Sequence, residues 1–182
     1  DLHPHIESGL LQLRTIDPAE MSPGEFSSVV QSAVDDHGAK IVVIDSLNAY
    51  LQAMPNEQFL VLQMHEMLSY LGHNGVVSLL ILGLHGVTGD IRSDVDLSYL
   101  SDTVIQLRYF EAQGEVRQAI SVIKTRTARH ERTIREFQIG SGGLGIGEPL
   151  REFQGVLTGV PRFSGEKSTL MESQADKAAM HD

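Results

Sequence analysis

Apolar residues change their spacing along the chain, and each change marks an element. Leu10 to Ile16 reads as a strand. Ser22-Pro23-Gly24-Glu25 has the form of a capping box, with serine at the N-cap, proline at N1 and glutamate at N3. Phe26, Val29, Val30, Ala33 and Val34 then repeat at the spacing of one helical face, and His37-Gly38 closes that helix. Ile41-Val42-Val43-Ile44 is a continuous apolar run, which predicts a strand buried on both faces. Past Pro55 and Asn56 a second helix carries its stripe on Leu60, Met64, Met67, Leu68 and Leu71; core packing explains these methionines. His73-Asn74-Gly75 leads into an apolar strand, Val76 to Leu82. A polar loop from Gly83 to Ser98 follows, then three strands, Thr103–Tyr109, Arg117–Arg126 and Thr133–Ile139. Gln113-Gly114 supplies the turn between the first two of these. Strands alternating with helices and then running alone predict an α/β fold. Its mainly parallel sheet is flanked by helices and extended by a C-terminal antiparallel β-meander. From Ser164 onward periodicity is lost, and residues 164–182 read as a flexible tail.

Composition narrows the classes of function. The 182 residues are 41% hydrophobic and 21% charged, which is ordinary for a globular chain. Twenty-four carboxylates face 14 Lys and Arg, a net charge of −10 that argues against general affinity for nucleic acid or an anionic membrane. No apolar run approaches the ~20 residues of a membrane helix, and no signal peptide opens the chain. The absence of cysteine excludes disulfides and thiolate metal sites and agrees with a cytoplasmic location. The start at Asp1, without methionine, reads as a processed product or a piece of something longer. Charge is unevenly spread: Lys124, Arg126, Arg129, Arg132 and Arg135 lie in a twelve-residue stretch with one acid, Glu131. That stretch carries +4 on an acidic protein and suits a local anion such as phosphate, or a solvated hairpin face.

Three letter patterns resemble ligand sites, and two fail on context. Gly140-Ser141-Gly142-Gly143-Leu144-Gly145 matches a dinucleotide fingerprint, but it follows a charged strand and precedes Pro149, so it reads as a hairpin turn. Gly165-Glu166-Lys167-Ser168 lacks the Gly-Lys adjacency and the preceding strand of a phosphate loop. His3 and His5 alone do not make a metal site. Asp45 is the third candidate. It ends the Ile41–Ile44 strand, where α/β sheets bind ligands and where a nucleotide-hydrolysing enzyme needs a carboxylate for Mg²⁺. An aspartate forming a turn or capping a helix gives the same pattern. Lys124 and Arg126, two residues apart on a predicted strand, form a pair suited to stabilising charge on a phosphoryl group.

At these residues the chain resembles a known family. Ile41-Val42-Val43-Ile44-Asp45-Ser46-Leu47 resembles the Walker B strand of the RecA superfamily. Lys124-Thr125-Arg126, His130, Ile134-Arg135-Glu136-Phe137 and Leu150-Arg151-Glu152-Phe153-Gln154-Gly155-Val156-Leu157-Thr158-Gly159 are similar to the KaiC family. The likeness covers roughly residues 10–163. It implies a RecA-like fold, Mg-ATP as cofactor and a regulatory ATPase, with Ser/Thr autokinase and autophosphatase activity as a further implication. Asp45 matches the metal-associated aspartate, binding Mg²⁺ directly or through water. Lys124 and Arg126 match the pair that reaches a neighbouring subunit's ATP, and His130 and Arg132 match positions near that nucleotide, so these residues would act in trans. Ser98 falls on an autophosphorylation position and Ser93 on a nearby phosphorylatable one. The implied partners are further copies in a hexameric ring and regulatory proteins, without membrane or nucleic acid.

Departures from the family pattern matter as much. Tyr99 stands where clock members have threonine, and Gln118 where they carry arginine, with Arg117 one place away. No G-x-x-x-x-G-K-[ST] occurs in the chain. Residues 1–163 are therefore expected to be the C-terminal portion of a KaiC-type domain, incomplete for want of the phosphate-loop strand and inactive in isolation. Two other classes remain beside the ATPase: a non-catalytic scaffold module of the same fold, and a recombination ATPase. The last is disfavoured because Arg92 is the one base among Asp90, Asp94 and Asp96 in the Gly83–Ser98 loop.

Overall fold

The computed structural model describes residues 2–17, 19–52, 57–83, 100–126, 128–158 and 161–163. The chain divides into two compact units, Asp1–Gly83 and Leu84–Asp182.

The first unit holds α1 (His3–Glu7), α2 (Pro23–Asp35), β1 (Ile41–Asp45), α3 (Leu47–Gln52), α4 (Glu57–His73) and β2 (Val77–Ile81). The capping box forms as its residues demand: the Ser22 N–H donates to Glu25 Oε2 at 2.8 Å, and the Glu25 N–H donates to Ser22 Oγ at 3.3 Å. At the other end of α2, Gly38 takes φ +68° and its N–H donates to the Val34 carbonyl, closing the helix as the His37-Gly38 pair predicts. Leu60, Met64, Met67 and Leu71 of α4 are all buried, at the spacing of one helical face. β1 and β2 run parallel and in register from Ile41 opposite Val77 to Asp45 opposite Ile81.

Two expectations are corrected here. Leu10–Ile16 carries no strand; Leu10 and Leu13 are largely exposed, and no described strand lies alongside to pair with them. β1 is not buried on both faces. Its residues alternate between half-buried and exposed, with Ile41 62% and Val43 54% exposed. β2 alternates in the same way, exposing Val77, Leu79 and Ile81. One face of this two-stranded sheet is thus sheltered, and the other presents an apolar surface.

The second unit is a four-stranded antiparallel sheet in sequence order: β3 (Thr103–Ala112), β4 (Glu115–Thr125), β5 (Arg135–Gly140) and β6 (Gly143–Pro149). Gln113 and Gly114 both take positive φ, 57° and 78°, as a tight two-residue hairpin turn requires. The glycine-rich stretch from Gly140 is the β5–β6 hairpin and opens no helix. The core gathers Phe110, Ala112 and Ala119 with Leu150 and Val156, flanked by Ile134 and Phe153. A two-residue pair, β7 (Phe153–Gln154) with β8 (Arg162–Phe163), brings Phe153 against Phe163. An Arg108 guanidinium nitrogen donates to the carbonyl of Leu157, fastening β3 to the short 3-10 turn at Val156–Thr158.

Candidate functional site

Asp45 is the last residue of β1 and is exposed, alternating with the half-buried Ile44 and so sharing a face with Ile41 and Val43. Among the described residues nothing hydrogen-bonds or pairs with its carboxylate. The peptide bond to Ser46 is cis. Immediately beyond, Leu47 and Tyr50 sink to 1% and 6% exposure, and the Tyr50 ring lies 5.0 Å from that of Phe26. This anchors α3 against α2. Burial raises the Tyr50 phenol above its ordinary range, so it stays neutral. In the first turn of α3, the Asn48 side-chain amide meets the backbone of Gly83. Its Nδ2 donates to the Gly83 carbonyl at 2.7 Å, and its Oδ1 accepts from the Gly83 N–H at 2.6 Å.

The basic residues belong to the second unit. Lys124 lies on β4, half-buried and opposite Val104. Arg126 stands one residue past the strand; its N–H donates to the Asp102 carbonyl at 2.8 Å, and its guanidinium lies 3.7 Å from the Asp102 carboxylate. Both partners of that ion pair are well exposed, which makes it weak. His130, half-buried, and Arg132, exposed, lie in the irregular stretch 128–134 between β4 and β5. There Glu131 accepts from the Thr133 hydroxyl and, at 2.8 Å, from Arg135. The Thr133 hydrogen bond first and the Arg135 bond next hold the Glu131 carboxyl below the usual range. Arg135 also donates to the Gly147 carbonyl at 2.8 Å. The one acid of the stretch is thus turned onto Arg135, while Arg129 and Arg132 make no ion pair with a described residue. An excess of positive charge is left facing water.

Arg117 does not take over from the missing arginine at Gln118. Adjacent strand residues face opposite ways, and Arg117 is held by Glu136 at 3.0 Å and Glu115 at 2.7 Å. An open groove of about 550 Å³ borders this pair, lined by Glu115, Arg117, Gln118, Glu136, Phe137 and Gln138; its charges are answered within its own walls.

Asp45 lies in the first unit, and Lys124, Arg126, His130 and Arg132 in the second. Ser93 and Ser98, with the rest of the 84–99 segment, fall outside the described residues. No group of three or more His, Cys, Asp or Glu among the described residues could cage a metal, and His3 instead sits 3.3 Å from Glu7 on α1. A lone open carboxylate still fits Mg²⁺, which keeps much of its water and binds through one or two carboxylates plus substrate phosphates. No described helix is long and apolar enough to cross a membrane. The Asn48–Gly83 clamp escapes sequence reading because its partners lie 35 residues apart. The one local signal is a polar amide directly behind the strand-ending Asp-Ser-Leu.

A family model described as the KaiC ATPase matches residues 8–151. The circadian clock protein KaiC3 of Synechocystis sp. is 40% identical over 74 residues, covering 41% of this chain and 15% of that protein. The circadian clock oscillator protein KaiC of Synechococcus elongatus is 28% identical over 158 residues, covering 84% of this chain and 29% of its own. Among solved structures, the KaiC-like protein PH0186 from Pyrococcus horikoshii OT3 matches with a TM-score of 0.68 at 20% identity. The match covers 80% of this chain and 64% of that one, which establishes a shared fold. The chain spans less than a third of the length of these two curated relatives.

Proposed function

Because the chain belongs to the KaiC family of ATPases, we propose that the full-length protein binds and hydrolyses Mg-ATP, with Asp45 holding the metal. The observation that carries this reading is the exposed carboxylate of Asp45, unbonded among the described residues, at the carboxyl end of a parallel strand. Mg²⁺, when bound, would neutralise charge on the phosphates. The chain's own contribution is one carboxylate to orient it. Lys124 and Arg126, with His130 and Arg132 beside them, are assigned to the ATP of a neighbouring copy in a hexameric ring. The excess positive charge of their stretch supports that assignment. Ser98 and Ser93 are the assigned sites of autophosphorylation, on family position, and the protein is assigned to the cytoplasm, with regulatory proteins as partners.

Replacing Asp45 by Asn in the full-length protein should lower ATP turnover on the order of 10²-fold with the circular dichroism spectrum unchanged. Undiminished turnover in the folded variant refutes the assignment. For the residues acting in trans, an Arg126→Ala protein is mixed with one whose own phosphate site is disabled. Mixed rings should recover part of the activity, because each copy supplies what the other lacks. Mixed assemblies that form and stay inactive would remove the trans role. Phosphopeptide mapping after incubation with Mg-ATP tests Ser98 and Ser93.

A further inference from the structure

In an extended strand the N–H and C=O of one residue point to the same side, so a neighbouring strand can bond both. The Asn48 amide does this to Gly83 with a side chain. The parallel ladder between β1 and β2 ends at Asp45 opposite Ile81, and Gly83 lies two residues beyond that rung. Asn48 lies three residues beyond it on the other side. The clamp therefore adds two hydrogen bonds where the ladder has run out, and ties the two chain segments together just past Asp45. Its foundation is firm, because the preceding residue, Leu47, is buried to 1% exposure. The fit is close: a Cβ at Gly83 would lie 3.3 Å from Asn48 Oδ1. A side-chain amide presents a donor and an acceptor side by side, as this pairing requires. Asp45 itself has no bond among the described residues to orient its carboxylate. Its placement therefore depends on how rigidly the ends of β1 and β2 are joined.

We propose that Asn48 is a positioning residue for Asp45, gripping Gly83 so that the strand ends cannot splay and the carboxylate stays aimed at a divalent metal–nucleotide. This rests on the reading of Asp45 as the metal carboxylate. The test uses the full-length protein with Asn48→Ala, Asn48→Gln and Asp45→Asn, and two readouts that need no turnover. The first is hydrogen exchange at the Gly83 amide. The second is calorimetric ATP binding, titrated with Mg²⁺ and repeated in chelator. Asn48→Ala should speed exchange at Gly83 about tenfold. It should also raise the Mg²⁺ concentration for half-maximal binding about tenfold, leaving metal-free ATP binding unchanged. Asn48→Gln keeps both the donor and the acceptor on a longer arm and should fall between Ala and wild type, which preserves the test if the alanine variant fails to fold.

Faster exchange with an unchanged Mg²⁺ requirement would overturn the proposal and leave Asn48 a strand staple. Unchanged exchange would overturn it by removing the clamp. If Asp45→Asn itself leaves the Mg²⁺ requirement at the wild-type value, the premise about Asp45 falls and the inference with it. That failure is distinguishable because it appears in the Asp45 variant with Asn48 intact.

Discussion

Glu136 is 1% exposed and forms an ion pair with Arg117 at 3.0 Å, whose side chain is 12% exposed. Burying two ions is costly, and the pair holds because each screens the other. Replacing Glu136 by Ala removes the buried counter-charge of Arg117, and urea denaturation should show a loss of about 3 kcal/mol. The double replacement Glu136→Leu with Arg117→Met should recover most of that loss, since an apolar pair of similar volume has no charge to desolvate. A double variant no more stable than Glu136→Ala would mean that the surrounding sheet needs the ions themselves. Ile134-Arg135-Glu136-Phe137 marks the family in the sequence, but nothing in the letters says that its glutamate is buried while its arginine reaches a carbonyl on β6. Burial is set by what packs above a strand, and that is not written in the strand.

Helix α2 was legible because everything that starts and stops it is local. Ser22 and Glu25 are three residues apart, and Gly38 lies within one turn of the last helical residue. The same holds for the hairpin turn at Gln113-Gly114. The strand expected at Leu10–Ile16 and the double-sided burial expected of β1 fail for one reason: both depend on neighbours that periodicity cannot see. The candidate site divides along the same line. The place of Asp45 at the end of its strand could be read from the apolar run before it, whereas the Asn48 grip on Gly83 could not. The capping box also carries a pH dependence. The Ser22 hydroxyl and N–H bond the Glu25 carboxylate and lower its pKa. A carboxyl with a lowered folded pKa contributes stability above its unfolded value and loses it as pH falls through the folded one. Amide exchange in the first turn of α2 should therefore accelerate as pH drops below the ordinary glutamate range, after correction for intrinsic exchange. A Glu25→Gln variant should show no such step. If wild type and variant respond alike, the box does not hold the helix end.

At the scale of the whole chain, apolar surface stands open on both units. Ile41, Val43, Val77, Leu79 and Ile81 are exposed on β1 and β2, and Ile105, Leu107 and Tyr109 on β3. Exposed apolar strands attract other chains. The 182-residue chain by itself should scatter light as an associating species and bind ATP far more weakly than the full-length protein, since it contains no phosphate-loop motif to cradle the phosphates. A monodisperse monomer with micromolar affinity in calorimetry would contradict both halves. The grip of Arg108 on the Leu157 carbonyl bears on where this chain can be cut. The family match stops at residue 151, but the core of the second unit continues through Phe153 to Val156, which is 1% exposed. A protease nick or a gene boundary placed at the end of the match would strip the cover from Phe110 and take away the carbonyl that Arg108 holds. The safe place to divide the polypeptide lies beyond Phe163, because β8 pairs with β7 and Phe163 packs on Phe153.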